Sequence, residues 1–350
     1  MAWTALYLIG GAVLLTVGAF LPCAFVYERI AGWHDRKQFP PPGEMIEVSG
    51  HKLHLLCDGA GDPTVWIVPG GGSGAITWEV IQHQVAQFSN VCCYDRTGIG
   101  WSENTRAPCT LEQRAIELHR LLVNTGKRPP YVLVGHSYGG LLIRVFARDH
   151  LDQVAGMVLV DSPEERFLSM PDFLKMGKAV RRLIRRRELA SYFGGMRLWL
   201  RWHPSEAALP NNFSVKTREA HRTILSGRRY WRTAFDEMRS LSSANERRFL
   251  SDQKNFGRLG DIPLVVIRRG TGIPVNAPQL RYPGAMSASE FDRLELEGQQ
   301  RLVRLSTNSE LVVAENSGHA VNFDRPELVV DEIRRVVLAV RTGKRLSEVR

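Results

Sequence analysis

From residue 45 onward the chain alternates between two hydrophobic rhythms. Short apolar runs rich in β-branched residues (TVWIVPG, VCCYD, YVLVGHS, VAGMVLVD, IPLVVIRRG and ELVVAEN) are separated by longer stretches with apolar positions every three to four residues. The runs read as buried strands and the longer stretches as helices. MIEVSG and KLHLLCDG make an opening hairpin, and helices are expected over Ile76–Phe88, Leu111–Asn124, Tyr138–Asp149, Ala288–Leu305 and Pro326–Val340. Strands apolar on both faces, with a helix between successive ones, belong in a mostly parallel eight-stranded α/β sheet covered on both sides.

The rhythm breaks once. From Asp161 to the strand starting near Ile262, about a hundred residues carry helical periodicity and no strand, far more than the dozen or so that a parallel crossover needs. This predicts a helical cap over 163–255, inserted into a core made of 45–162 and 256–343.

Ahead of the core, Met1 to Tyr27 contains no charged side chain. Such a run, as helix, spans the ~30 Å hydrocarbon core of a bilayer. It has neither the basic leader nor the small-residue cleavage site of a signal peptide. Residues 1–37 are therefore expected to form a single transmembrane anchor with a basic flank at Arg29, Arg36 and Lys37, and interfacial aromatics at Trp3, Tyr7, Tyr27 and Trp33. A stiff proline-rich spacer over 38–44, containing FPPPG, would hold the folded part off the membrane. The basic flank follows the span, so positive-inside counting puts the folded part in the cytoplasm.

The formal net charge is +10, but its placement matters more than its size. Between Glu165 and Arg232 there are 16 Lys and Arg against 5 Asp and Glu, so the rest of the chain is close to neutral. Within the cap, VRRLIRRREL and MRLWLRW interleave arginines with Leu183, Ile184, Trp199 and Trp202. That is either a solvated helical face or a basic amphipathic surface for anionic head groups. No nucleic-acid recognition motif accompanies the charge, and nucleic acid is not an expected partner. Cys23, Cys57, Cys92, Cys93 and Cys109 are odd in number and lack CxxC spacing, so they read as reduced core thiols, which leans toward a reducing compartment.

Gly135-x-Ser137-x-Gly139 lies where an apolar strand runs into a helix. A turn this sharp strains the serine backbone and leaves no room for side chains two positions either side. Ser137 then projects at the helix N-terminus, where negative charge is favoured. A serine hydroxyl needs a base, and of ten histidines His319, in NSGHAVNF after the last strand, is the one a loop can return to the serine. His136 points to the other side of its strand and reads as structural.

The elbow GHSYGG, the DRTGIGWS stretch at Asp95 to Ser102, PGGGSG after TVWIV, and SGHAVNFDRPE at Ser317 to Glu327 together resemble the α/β-hydrolase fold family, over roughly Met45 to Val340. The resemblance implies a serine hydrolase of esterase or lipase type, cleaving a carboxylic ester or related acyl bond without a metal or organic cofactor. A serine at the elbow argues against the branches that use a carboxylate nucleophile. The resemblance also implies an oxyanion hole from the backbone N–H groups of Tyr138 and Gly71, with Gly72 or Gly70 next in line. The usual acid position, in TGIPVNAPQLRYPGAMSAS, holds no Asp or Glu. Asp161, ending the strand beside the nucleophile strand, is the expected acid, ahead of Glu290 and Asp292. Asp95 and Arg96 read as a structural pair beneath the site, and Asp324 as a brace for the histidine loop. The expected ligand is a small, lipid-like acyl compound, with the membrane reached through residues 3–27. A catalytically silent binding protein, or an acyltransferase or peptidase, would fit the same fold.

Overall fold

The computed structural model describes residues 2–252, 256–272 and 286–349; for 2, 4–10, 12–17 and 172 it describes the backbone alone. The chain opens with α1 (Ala2–Gln38), followed by β1 (Glu44–Val48), β2 (His51–Asp58), β3 (Val65–Val68), α2 (Glu79–Val85) and β4 (Val91–Tyr94). Then come α3 (Leu111–Asn124), β5 (Tyr131–His136), α4 (Tyr138–Asp149) and β6 (Val154–Val160). Six helices lead on to the next strand: α5 (Glu165–Ser169), α6 (Pro171–Ser191), α7 (Gly195–Trp202), α8 (Val215–Ser226), α9 (Arg228–Leu241) and α10 (Ala244–Ser251). The chain closes with β7 (Leu264–Arg269), α11 (Ala288–Val303), β8 (Ser309–Ala314), α12 (Val321–Asp324) and α13 (Pro326–Thr342).

The eight strands form one sheet in the order β1-β2-β4-β3-β5-β6-β7-β8. The hairpin β1–β2 and the β2–β4 pair are antiparallel and every other neighbour pair is parallel. Successive residues of β5 serve opposite faces. Tyr131 and Leu133 pack with Leu118, Leu121 and Leu141 of α3 and α4, whereas Val132 and Val134 pack with Ile81 of α2 and Ile333 of α13. The region expected as one helix over Ile76–Phe88 divides into a 3₁₀ turn, Ala75–Trp78, and α2. The backbone departs from helical angles at Trp78, and the Ala75 N–H is drawn to Asp95 Oδ1 at 2.7 Å.

One expectation about the N-terminal part changes. Among the described residues no helix is long and apolar enough to cross a membrane. Most of the span expected over residues 3–27 falls on positions whose side chains lie outside the description. The C-terminal half of α1 is tied to the rest of the fold. The Arg197 guanidinium on α7 bridges Glu28 and Asp35 of α1, at 2.6 Å each. These carboxylates are seven residues apart, two turns along one helix face. Trp101 Nε1 also donates to the Phe39 carbonyl at 2.9 Å, tying the start of the spacer to the core.

The cysteine expectation is overturned. Cys57 and Cys92 form a disulfide, while Cys23, Cys93 and Cys109 are free. The antiparallel register of β2 and β4 places the two cysteines directly opposite each other, with Cα atoms 4.1 Å apart. Sequence spacing does not reveal such a pairing, because the partners are 35 residues apart. The bridge removes the argument for a reducing compartment.

Candidate active site

Parallel pairing brings the C-terminal ends of β3, β5, β6, β7 and β8 to one edge of the sheet, where ligands of open α/β folds bind. His136 of β5 is in register with Val160 of β6, so Ser137 and Asp161 leave the sheet side by side. Both have left-handed backbones, with φ of 50° and 39°. Such angles are costly for residues other than glycine and gather at functional turns. The elbow tolerates only glycine at its flanks. A Cβ on Gly135 would lie 2.6 Å from the Gly140 Cα, and one on Gly139 would collide with the Val68 carbonyl.

His319 comes from the loop after β8 and reaches over β7 to both residues. Its Nε2 lies 2.9 Å from Ser137 Oγ and its Nδ1 2.6 Å from Asp161 Oδ2. A carboxylate only accepts, so Nδ1 carries the proton and the Nε2 lone pair faces the serine hydroxyl. Burial opposes the charge on Asp161. The hydrogen bond from His319, the charge of His319 and the Arg269 guanidinium outweigh it and hold the carboxyl below its ordinary range. The Arg269 N–H also donates to Asp161 Oδ1 at 3.1 Å. Of the weaker acid candidates, Asp292 lies 3.7 Å from Arg269, and Glu290 belongs to the N-terminus of α11, capped by Ser287. Most of TGIPVNAPQLRYPGAMSAS, 273–285, lies outside the described residues.

Asp324 braces the histidine loop, its Oδ2 accepting from Ser317 Oγ at 3.1 Å and from the Gly318 N–H at 2.9 Å. Asp95 and Arg96 do not pair with each other. Adjacent residues leaving a strand point to opposite sides, and Asp95 goes to His54 at 2.7 Å while Arg96 goes to Glu237 at 2.9 Å.

Three residues do more here than the sequence revealed: His136 and Arg96, read only as structural, and Glu237, not singled out at all. His136 is buried beneath His319, its Nε2 2.8 Å from the His319 carbonyl oxygen. Burial, then the charge of His319, lowers its pKa to about 4, so a neutral imidazole donates this bond and fixes the backbone of His319. Gly70 is required by the same ring, because a Cβ there would lie 2.7 Å from His136 Nδ1. The other two are Arg96 and Glu237. Arg96 donates to the carbonyls of Pro69 at 2.5 Å and Gly70 at 2.8 Å, and Glu237 Oε2, on α9, accepts the Gly72 N–H at 3.0 Å. A buried ion pair thus grips three residues of the glycine loop. Arg96 also stacks over the Tyr138 ring, 5.1 Å from its centroid. The Gly72 N–H is therefore spoken for, which removes Gly72 from the candidate donors. Gly71 and Tyr138 both line the cavity at Ser137, and Tyr138 opens α4, where backbone N–H groups have no helical partner.

That cavity has a volume of about 600 Å³. Its floor holds Ser137, His319 and Asp161, and its walls are mostly apolar side chains of the helices between β6 and β7, among them Phe167, Phe173, Ile184, Trp231 and Met238.

A sequence profile of the Alpha/beta hydrolase family matches residues 67–332. The chain belongs to this family. This hydrolase is 28% identical over 291 residues to an "AB hydrolase superfamily protein" of Gibberella zeae, covering 77% of this chain and 85% of that one. Several further curated relatives are matched over less than half of their own length. Solved structures that share its fold include a thermophilic esterase from Thermogutta terrifontis, with TM-score 0.59 and 21% identity over 85% of this chain and 98% of that one. The epoxide hydrolase CorEH is similar with TM-score 0.61 and 18% identity, over 85% of this chain and 98% of its own.

Proposed function

We propose that this hydrolase cleaves carboxylic esters of apolar acyl groups through a Ser137–His319–Asp161 triad. The observation that carries the reading is the unbroken hydrogen-bond chain from Ser137 Oγ through His319 to Asp161. His319 Nε2 takes the serine proton as Oγ attacks the ester carbonyl, and the resulting oxyanion is met by the N–H groups of Gly71 and Tyr138. The tetrahedral intermediate collapses, His319 passes its proton to the leaving alkoxide, and an acyl-enzyme and an alcohol result. Water then attacks the acyl-enzyme, giving its proton to His319, and collapse returns the proton to Ser137 Oγ and frees the carboxylic acid. Asp161 holds the Nδ1 proton throughout.

In this reading 163–255 is a helical cap over a core of 45–162 and 256–343, residues 38–44 are a spacer, and 1–37 attach the protein to a membrane. The membrane attachment is supported by the uncharged run from Met1 to Tyr27.

A fluorophosphonate tests the triad directly. The expected result is a stoichiometric covalent adduct, located at Ser137 by mass spectrometry of the digested protein. Folded protein that stays unlabelled would sink the hydrolase reading and favour a silent binding protein. The apolar walls lead to a second expectation. Across nitrophenyl esters from acetate to decanoate, kcat/KM should rise severalfold per added methylene until the cavity is full, as each buried methylene contributes about 0.8 kcal/mol. A preference for acetate would contradict an acyl site in this cavity.

A further inference from the structure

On the far side of α9 from Ser137 lies a second cavity, of about 320 Å³, between α1 and the helices α7 to α9. Its lining holds two carboxylates, Glu28 and Asp35, and both are taken by Arg197. Arg29, Arg36, Arg228, Arg229 and Arg232 also line it, and among the described residues none of these five has a carboxylate in ion-pair contact. Arg229 is half-buried and donates to the Gly100 carbonyl. Burial lowers its pKa, the charges of Asp95 and Glu103 oppose this, and the Arg36 charge adds to it. Arg228 lies over the Tyr192 ring at 3.8 Å, and its buried Nε has no partner.

The position of these cations is also unfavourable. Arg228 and Arg229 open the 14-residue α9, whose N-cap, Gly227, gives no side-chain cap and whose first turn holds no acid. A helix N-terminus favours negative charge and disfavours cations. An anion seated there would meet the open helix end, the unpaired guanidinium groups and the dipole together.

We propose that this cleft is a binding site for a phosphate-type anion, the chemistry shared by a phospholipid head group and free phosphate. Tyr230 lines both this cleft and the catalytic cavity, so the two share a wall. The lipid as source rests on membrane attachment through α1; the anion site itself does not.

The test is calorimetric titration of the full chain in neutral detergent with inorganic phosphate, dihexanoyl phosphatidic acid and dihexanoyl phosphatidylcholine. Saturable binding of phosphatidic acid is expected, weakened about tenfold or more by Arg229→Gln and by the exposed pair Arg36→Gln/Arg232→Gln, since each removes charge-assisted hydrogen bonds. Phosphatidic acid binding more tightly than phosphate identifies a lipid head group as the ligand, and equal affinity identifies free phosphate. The proposal is overturned if neither anion binds saturably, if the Arg36/Arg232 variant binds like wild type, or if the neutral phosphatidylcholine binds equally well. Ser137→Ala protein should bind the anion unchanged, so failure here stays distinct from failure of the hydrolase reading.

Discussion

Asp161→Asn is expected to lower kcat by about four orders of magnitude while leaving the protein folded. The amide is the same size and keeps an oxygen to accept the Arg269 N–H. What it loses is the acceptor that fixes the Nδ1–H tautomer of His319, and with it the anion that stabilises the imidazolium formed when Ser137 gives up its proton. Near wild-type turnover in the asparagine variant would remove Asp161 from the triad. The pKa of Asp161 adds a second measurement. Its folded-state value is held below the ordinary 3.8 by His319 and Arg269 against burial. A depressed carboxyl contributes stability that is fully present above its unfolded pKa and lost as the pH falls through the folded one. Thermal melts should therefore show the wild type losing its advantage over the asparagine variant only below about pH 4, the range of an unperturbed Asp. A low-pH limb of activity between about 5 and 7 cannot then belong to Asp161.

The strands, their helices and the positions of Ser137 and His319 were legible because each rests on local signals. A run of apolar residues ends in a glycine turn, and the turn's chemistry is written in adjacent letters. The place of Asp161 beside Ser137 was legible for a different reason: the strand ending at Ser137 and the next strand are parallel neighbours, so their ends emerge together. Partnerships between distant segments left no such mark. Cys57 meets Cys92 because of a strand register, and Arg96 meets Glu237 across 141 positions. Neither the parity of β4 nor the seat of α9 over the glycine loop can be read from spacing. His136 was assigned to structure from its direction alone, and the structure adds what it touches: the carbonyl of His319 itself. Here the signal was present, as a histidine beside Ser137, but its meaning depended on a loop 183 residues away.

The Arg96–Glu237 pair carries the second large expectation. Burial opposes ionisation of Glu237, and Arg96 overcomes it through charge and a hydrogen bond, lowering the pKa of Glu237. Together they hold the Pro69 and Gly70 carbonyls and the Gly72 N–H, the residues on either side of the proposed donor Gly71. Glu237→Gln alone would leave Arg96 as a buried cation without its anion, a loss of about 3–5 kcal/mol of stability that would obscure any kinetic effect. The informative variant removes both charges at once: Arg96→Met with Glu237→Leu fills the space with apolar atoms and leaves no unpaired charge, so that its stability cost is only that of the loop's backbone groups losing their partners, about 1–3 kcal/mol for each one left buried. It also releases the glycine loop. If the pair positions Gly71 for the oxyanion, kcat in the double variant falls by about 10²–10³, the effect of losing one oxyanion donor, with KM for a neutral ester nearly unchanged. Fluorophosphonate labelling should slow in parallel, because the phosphonyl oxygen occupies the same hole. A stable double variant with wild-type kcat would show that the pair only joins α9 to the core and that the loop holds its shape alone. A rise in KM at constant kcat would place Glu237 among the residues that shape substrate binding, and Gly71 would need another support.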